Sequence, residues 1–546
     1  MKSIKVNPLR FAQSIFVLFL VIAFLSCSND FSKSNYVEAP FSGLDTLSTN
    51  DWWNRSENKI IDLKVPRDQV IAFGIYTTSK NRLKLTAQLF PLYPDETRVV
   101  RLAILQKNQW KEIQSQAVNE LGWSTTFEVE DWNMQTDTPY KILHGEKAFF
   151  KGLIRKDPTA KKQISIAALS CNSNKDRGDR ARYVQNINAL DPDLVFFAGD
   201  QSYDHKEHTA AWLKFGIQFR DVFRNRPCIT IPDDHDIGQG NLWGEYGKKS
   251  LVAAGNDGGY FHHPEYVKMV ERCQTAHLPD PYSKEPLEQG IRTYYTHMIL
   301  GGLDIAILED RKFKSGPNGK IPRQGPRPDH ILNPDYDPTS IDLPELKLLG
   351  DEQLDFLGQW GADSATKDKL KVVLSATGFC GGAHLHGDQS NRLHADLDSN
   401  GWPQTGRIKA LEKIKQVNAV HIAGDQHLAT IIQHGIKEYD DGPWAFVVPA
   451  IVNNYYSRWW WPEDEKPGKM TNGILPWTGR YLDGFNNKIT IHAYANPDSP
   501  SHGAGFGFIR FNIENKEVTF ECWPREADVT NPSESQFKGW PLTVKL

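Results

Sequence analysis

Short apolar runs separated by polar turns dominate the first part of the chain. Four of these runs predict strands, at residues 70–76, 83–89, 123–129 and 148–154. Within residues 83–89 apolar and polar side chains alternate, as they do in a half-buried strand. The spacing of strands and turns predicts a small β-sandwich at residues 56–158. No cluster of acidic and basic side chains stands out there, so we expect an accessory domain.

The pattern changes at Gln163, where apolar runs begin to alternate with helical segments. Helices are predicted at 179–190, 351–360 and 408–417, and the predicted strands are 164–169, 194–198, 228–231, 303–308, 372–375 and 419–423. Strands alternating with helices predict a layered α/β domain, which we assign to residues 159–546. Residues 240–290 and 314–345 are rich in Gly, Pro and Tyr and predict long loops over one face.

The N-terminus predicts a targeting segment. Basic residues precede the apolar run 15–25, which is too short to span a bilayer as a helix. Ser26 and Cys27 follow the run, which resembles a bacterial lipoprotein signal peptide with Cys27 as the lipidated cysteine. Plain secretion with an unmodified Cys27 is the alternative. Residues 28–55 predict a tether. We therefore expect an exported protein, attached to the bacterial envelope through Cys27 and facing the periplasm or the cell surface.

Composition narrows the functional classes. The net charge of −4 on 546 residues argues against a nucleic-acid binder that relies on a basic surface. Aromatic residues make up 11% of the chain, with 16 Trp, which fits either sugar-stacking platforms or aromatic packing in the core. Without Cys27 five cysteines remain, an odd number, so at least one thiol of an exported protein has another role. Cys171 is the candidate.

Polar residues recur where the predicted strands end. These residues are Cys171, Asp200, the run Asp234-His235-Asp236, and Asp425 with His427. In an open α/β sheet such positions converge on one crevice. Carboxylates, imidazoles and a thiolate gathered there need cations to be stable together, so the pattern predicts a metal centre in which Asp200 bridges two ions.

At this point the sequence resembles the calcineurin-like metallophosphoesterases, specifically the alkaline phosphatase D (PhoD-like) family. The resemblance covers about residue 70 to the C-terminus. It is carried by five segments in order: Ala168-Leu169-Ser170-Cys171, residues 197–203 (FAGDQSY), Asp233-Asp234-His235-Asp236, residues 348–354 (LLGDEQL), and Ala423-Gly424-Asp425-Gln426-His427. The family also places a β-sandwich before the catalytic domain.

The resemblance implies a role for each matching residue. Cys171, Asp200 and Tyr203 would hold a ferric ion, and Asp200 would bridge to Ca²⁺ or another ion that prefers oxygen ligands. Asp234 would bind the second ion. Asp425 and His427 would complete the metal shell, and a metal-bound water or hydroxide would attack. His235 would donate a proton to the leaving group or stabilise the developing charge, and Asp236 would orient it.

Other readings of these residues stay open. Cys171 could be an inert buried thiol, Tyr203 could merely pack, and Asp233 is better interpreted as a helix cap than as a ligand. The candidates for substrate binding are Arg311, His384, His386, Trp459 and Trp460. A solvated loop for Arg311 and a surface position for the two histidines are equally compatible with the sequence.

Three functions are therefore weighed. The first is an exported, metal-dependent phosphoesterase acting on a phosphorylated small molecule. The aromatic run 455–461 suggests the second, a metal-assisted enzyme on an anionic oligosaccharide that eliminates at a uronic acid or removes sulfate. A non-catalytic glycan-binding protein is disfavoured, because the residues of the predicted site are all present.

Overall fold

The computed structural model describes residues 59–205, 207–252, 254–383, 385–386, 393–459 and 473–546. The predicted signal peptide and tether, and with them Cys27, lie outside the described residues. Within the described part, no helix is long and apolar enough to cross a bilayer.

The predicted β-sandwich is confirmed. Its strands are β1 (Ile71–Ser79), β2 (Arg82–Leu89), β3 (Val99–Gln106), β4 (Gln109–Ala117), β5 (Ser124–Val129), β6 (Thr138–His144) and β7 (Ala148–Ile154). They form two antiparallel sheets, β1-β2-β5 and β4-β3-β6-β7. The four predicted strands correspond to β1, β2, β5 and β7. Strand β4 is mostly exposed, which explains why its sequence lacks an apolar pattern.

The rest of the described chain contains two large mixed sheets. The first sheet has the order β10-β9-β8-β24-β25-β26, and β20 pairs with β8. Its strands are β8 (Gln163–Asn172), β9 (Leu194–Phe197), β10 (Cys228–Thr230), β20 (Ala450–Val452), β24 (Gly505–Asn512), β25 (Glu517–Pro524) and β26 (Leu542–Lys545).

The second sheet has the order β11-β12-β14-β17-β19-β18-β23-β22. Its strands are β11 (Thr296–Leu300), β12 (Leu303–Ile307), β14 (Leu370–Thr377), β17 (Val420–Gly424), β18 (Ala429–His434), β19 (Trp444–Val447), β22 (Gly479–Leu482) and β23 (Lys488–Ala495). Two short antiparallel pairs lie outside both sheets: β13 (His330–Ile331) with β16 (Ala395–Asp396), and β15 (Leu385–His386) with β21 (Ser457–Arg458).

Helices cover the outer faces of both sheets. They are α1 (Ala181–Leu190), α2 (His208–Phe223), α3 (Asp234–Ile237), α4 (Pro264–Thr275), α5 (Gly350–Ala362) and α6 (Gln404–Gln416). Helix α4 lies within residues 240–290, so the prediction of a long loop there was wrong over these positions. Its hydrophobic face is interrupted by Glu271 and Gln274, which are buried as polar residues.

The two sheets pack face to face, which gives the domain four layers. Alternate residues of β8 divide between two cores: Ile166 and Ala168 face the second sheet, and Ala167 and Leu169 face the helices and the sandwich. Across the interface, Val372 and Ile422 belong to the same buried cluster as Ile166. The layered α/β class is confirmed, but the strand ends that carry the candidate site belong to two sheets rather than one.

Candidate metal centre

The residues predicted from strand ends come together at one edge of the two sheets. Cys171 lies in β8, Asp200 follows β9 and Asp234 begins α3 after β10, whereas Asp425 and His427 follow β17 of the second sheet. Cys171, Asp200, Asp425 and His427 all adopt positive φ, at 55°, 59°, 70° and 51°. This region of backbone conformation is unfavourable for residues other than Gly, and it is found mainly at sites where the fold imposes it.

Two glycines allow the strand ends to approach so closely. Gly199 has φ 97°, and a Cβ atom there would lie 2.5 Å from Cβ of Asp233. A Cβ atom on Gly424 would lie 2.2 Å from the hydroxyl oxygen of Ser170, on the opposite sheet. The N–H of Asp425 donates to this hydroxyl at 3.1 Å. Glycine before each aspartate is therefore required by close packing, at Gly199 between neighbouring strand ends of the first sheet and at Gly424 between the two sheets.

One half of the centre combines sulfur, phenol, imidazole and carboxylate groups. Ligand atoms of Cys171, Asp200 and His427 lie within 4.8 Å of one another. The Tyr203 hydroxyl donates to Oδ2 of Asp200 at 2.6 Å and lies 3.1 Å from Nε2 of His427. Burial and the neighbouring Asp200 carboxylate raise the pKa of Cys171 and of Tyr203 well above their usual ranges. A trivalent ion would reverse both shifts by stabilising the thiolate and the phenolate.

The other half consists of carboxylates. Ligand oxygens of Asp200, Asp233, Asp234 and Asp425 lie within 4.8 Å of one another. Burial and the mutual repulsion of these groups raise the pKa values of Asp200 and Asp234 well above the usual range, and burial raises the pKa of Asp425 to about 6. Without a cation these carboxylates cannot all be ionised.

Hydrogen bonds separate possible ligands from structural carboxylates. Oδ1 of Asp200 and Oδ1 of Asp234 are buried and accept no hydrogen bond from the described residues. By contrast, Asp233 caps α3 by accepting from the N–H of Asp234 at 2.9 Å, and it also binds Arg311. A buried carboxylate oxygen that accepts no hydrogen bond destabilises the folded state unless it coordinates a cation. The donor set therefore fits two ions with Asp200 between them.

His235 lies beside the carboxylates, and its contacts differ from the prediction. Nδ1 of His235 is 2.7 Å from Nε2 of His205, and the Tyr203 ring packs against the imidazole with a centroid distance of 4.1 Å and an interplanar angle of 34°. Burial, followed by the nearby His205, lowers the pKa of His235 well below its usual value, so the ring is neutral.

Asp236, expected to orient His235, makes other contacts. Its carboxylate accepts from the N–H groups of Asp200 at 2.8 Å and Asp233 at 3.0 Å, and from the side-chain amide of Gln274 at 3.1 Å. As the third residue of a four-residue helix that begins at Asp234, it points back to the cap instead of toward the ring. It thereby fixes the loop of Asp200 against α3.

Of the residues predicted to bind substrate, Arg311 and Trp459 are buried. Arg311 is buried, with only 4% of its side chain exposed, and binds carboxylates rather than facing a loop surface. Trp459 is 1% exposed, donates its indole N–H to the carbonyl oxygen of Trp477 at 3.0 Å and packs edge-on to Tyr481. It is a core residue and offers no stacking face. His384 and Trp460 lie outside the described residues, and of His386 only the backbone, paired in β15, is described.

A cavity of about 450 Å³ opens over the candidate ligands. Its wall on the ion side includes Asp200, Tyr203, Asp234, His235, Asp425 and His427. The remaining wall carries Lys175, Asn241, Arg327, His330 and Tyr455, among others. The cavity is larger than one phosphate group, and Tyr455, which is 51% exposed, supplies an aromatic face at its rim.

Sequence reasoning missed several residues of the centre. Oδ1 of Asn453 accepts from Nδ1 of the His427 ring at 3.1 Å, and Nδ2 of Asn453 donates to the carbonyl oxygen of His427 at 3.0 Å, which fixes the imidazole. It follows β20, so the rule that polar residues end apolar strands could have found it. Neither His205 nor Asp398 follows a large strand, and only the tertiary structure brings them to the site.

Comparisons with known proteins bear on the fold. No protein-family model matches the chain, and no curated protein matches it in sequence. The solved structures that share the fold include PhoD, with a TM-score of 0.60, 14% identity and coverage of 87% of this chain and 90% of that one. They also include the purple acid phosphatase PPD1 from yellow lupin (Lupinus luteus) seeds, with a TM-score of 0.53, 12% identity and coverage of 87% and 74%.

The fold thus belongs to the class in which a β-sandwich precedes a layered α/β domain, and here that domain carries a candidate metal centre. Within that class the chain is similar to PhoD over nearly the full length of both proteins. The resemblance suggested by the sequence motifs is confirmed for the fold.

Proposed function

We propose that this protein is a metal-dependent phosphoesterase. The observation that carries the proposal is that Oδ1 of Asp200 and Oδ1 of Asp234 are buried and accept no hydrogen bond from the described residues. Both oxygens belong to a cluster of carboxylates that lie at strand ends of the two sheets. The similarity of the fold to PhoD and to a purple acid phosphatase supports it.

The donor types suggest which ions would bind. Cys171, Tyr203, His427 and Asp200 form a set suited to a ferric ion, and the oxygens of Asp200, Asp234 and Asp425 suit Ca²⁺. When bound, the two ions would polarise the phosphoryl group and lower the pKa of a coordinated water molecule.

The chain itself supplies a proton donor and the side chains that hold the rings of His235 and His427 in place. His235 lines the cavity, and a proton on its Nε2 can pass to the oxygen of the leaving alcohol if Nδ1 accepts from His205. Tyr203 packs against this ring, and Asn453 fixes the ring of His427. These contacts orient the reacting groups before substrate enters.

The same proposal includes export and a lipid anchor on Cys27. The basic n-region, the apolar run 15–25 and the cysteine that follows support it. Metabolic labelling with a radioactive or clickable palmitate would test the anchor: label in the wild type and none in Cys27→Ala is expected, whereas label in both variants would reject Cys27 as the site.

The experiment for the enzymatic activity combines elemental analysis with a substrate panel. Purified protein is assayed for bound Fe and Ca and for turnover of phosphate monoesters, phosphate diesters and charged oligosaccharides. We expect bound metal and hydrolysis of phosphate esters that stops when metal is removed by chelation. Conversion of a charged oligosaccharide without phosphate-ester turnover would overturn the proposed reaction.

A further inference from the structure

One buried guanidinium binds three carboxylates behind the candidate metal centre. Nε of Arg311 donates to Oδ1 of Asp233 at 2.6 Å, Nη1 donates to Oδ1 of Asp398 at 2.6 Å, and Nη2 lies 3.1 Å from Oδ1 of Asp425. The side chains of Asp233, Asp398 and Asp425 are 0%, 13% and 10% exposed. A guanidinium is a planar fork with five N–H donors, and it can bind three carboxylates from three different nitrogens in a fixed geometry.

The three carboxylates belong to different parts of the fold. Asp233 caps α3, the helix that begins at Asp234 and follows the first sheet. Asp425 ends β17 of the second sheet, and Asp398 follows β16. Arg311 itself follows β12. The guanidinium therefore links Asp425, a candidate ion ligand on the second sheet, to Asp233, the cap of helix α3. Helix α3 begins at Asp234, a candidate ion ligand that follows the first sheet.

We propose that Arg311 is a positioning residue that holds Asp234 and Asp425 at the spacing required for ion binding across the two sheets. The inference rests on the proposed function insofar as Asp234 and Asp425 bind ions there. Arg311 needs no contact with substrate, because it lies behind Asp398 and Asp425, which line the cavity.

If Arg311 acted only through its charge, its removal would change the ion affinity in the opposite direction to that expected for a positioning role. A fixed positive charge 3.1 Å from a ligand carboxylate repels an incoming cation, so its removal alone would tighten ion binding. A positioning role predicts weaker binding, since residues that orient metal ligands contribute roughly 10–100-fold to affinity. The direction of the change thus separates the two roles.

The test uses Arg311→Met, Arg311→Lys and the matched control Arg407→Met. Arg407 is likewise buried, with 1% of the residue exposed, and lies in the same domain. Among the described residues it donates to the carbonyl oxygens of Phe379 and Gly435, lies 3.3 Å from Nδ1 of His434, and donates to no carboxylate. Each full-length protein is depleted of divalent ions with a chelator and titrated with Ca²⁺ and, separately, Mn²⁺ by calorimetry. Melting temperatures and the kcat and KM for a phosphate ester are measured in parallel.

We expect Arg311→Met to weaken ion binding by roughly tenfold or more and to lower kcat at saturating metal, with KM little changed. Arg311→Lys keeps the charge, but its three N–H donors sit on one nitrogen at the end of a flexible chain and cannot reproduce the contacts that Nε, Nη1 and Nη2 make in one plane, so it should also bind ions more weakly than the wild type. Arg407→Met should lower the melting temperature and leave ion affinity unchanged.

Several results would overturn the inference: ion binding by Arg311→Met that is unchanged or tighter, complete recovery in Arg311→Lys, or equal weakening in Arg407→Met. A wild type that binds ions without hydrolysing any phosphate ester would reject the proposed function alone, and ion affinity would still decide the role of Arg311. A wild type that binds neither Ca²⁺ nor Mn²⁺ would reject both.

Discussion

Nε2 of His205 lies 2.7 Å from Nδ1 of His235 beside the carboxylate cluster, so one of these two nitrogens donates a proton to the other and the tautomers of the two rings are coupled. If His205 donates its proton, Nδ1 of His235 is the acceptor and the proton of His235 resides on Nε2. A neutral ring of this tautomer can protonate a leaving oxygen.

We therefore expect His235→Asn to lower kcat on alkyl phosphates on the order of 10²-fold and to affect nitrophenyl phosphates much less, because nitrophenolate leaves without a proton. His205→Ala should reproduce the selective loss on alkyl esters in weaker form, and His205→Gln, which keeps an N–H donor, should recover part of it. Equal losses on alkyl and aryl esters would show that the pair does not deliver the proton.

The second prediction concerns the bridging carboxylate. Asp200→Asn should abolish activity and lower the bound metal, since it removes charge from the residue shared by both halves of the centre. The control is Asp329→Asn. Asp329 also groups with His330 and Asp396, but its oxygens accept from Asn241 and Arg327, so its replacement should leave the metal content unchanged. Elemental analysis of both variants decides, and an Asp200→Asn protein with full metal and activity would reject the site.

The third prediction concerns the iron. If Cys171 and Tyr203 ligate Fe³⁺, the purified protein should show a charge-transfer band in the visible spectrum. Cys171→Ser and Tyr203→Phe should each shift or remove the band, whereas Cys522→Ser, a change at another buried thiol, should leave it in place. A colourless, iron-free and fully active wild type would show that this half of the centre holds another ion.

The fourth prediction separates Trp459 from Tyr455. Trp459→Ala should lower the free energy of unfolding by about 3–5 kcal/mol, because it empties a buried aromatic site, and KM should change little below the melting transition. Tyr455→Ala removes a half-exposed ring at the cavity rim and should raise KM for large substrates with little loss of stability. Chemical denaturation and steady-state kinetics test both; a stable Trp459→Ala protein with a raised KM would restore the stacking hypothesis.

The fifth prediction is a pH dependence away from the metal centre. Asp304 is fully buried and accepts from Nζ of Lys371 at 2.7 Å and from Nδ1 of His297 at 3.0 Å. Burial acts to raise the pKa of Asp304, but the hydrogen bonds from His297 and Lys371 outweigh it and lower the pKa below the usual value. A depressed acid pKa gives stability that is present above the unfolded value of about 3.9 and lost as pH falls toward the folded value.

Asp304→Asn should therefore reduce the free energy of unfolding at pH 7 on the order of 3 kcal/mol, and the difference from the wild type should shrink below about pH 4. The control is Asp351→Asn, which breaks an exposed pair with Lys347 and should cost less than about 0.5 kcal/mol. A wild-type advantage that stays constant down to acid pH would contradict the assignment.

The sequence by itself determined the strands and helices whose apolar pattern is regular. Strands β8, β9, β12, β14 and β17 are buried on both faces and so appear as continuous apolar runs, and the polar residues at the ends of β8, β9 and β17 mark the site. Helix α4 and the exposed strand β4 were not predicted, because polar residues interrupt their apolar patterns. The local sequence also indicated that Asp233 is a cap, because capping depends only on the residues of one turn.

Only the tertiary structure decided which side chains meet across the two sheets. Arg311 is 78 residues from Asp233 and 87 from Asp398, and no local pattern distinguishes a buried guanidinium that binds both from a solvated basic loop. Trp459 belongs to an aromatic run that suggests a stacking surface, yet its burial depends on contacts with Trp477 and Tyr481 farther along the chain. Strand ends follow from periodicity, which is local; the pairing of charges and the burial of single side chains follow from how the two sheets pack, which depends on the whole chain.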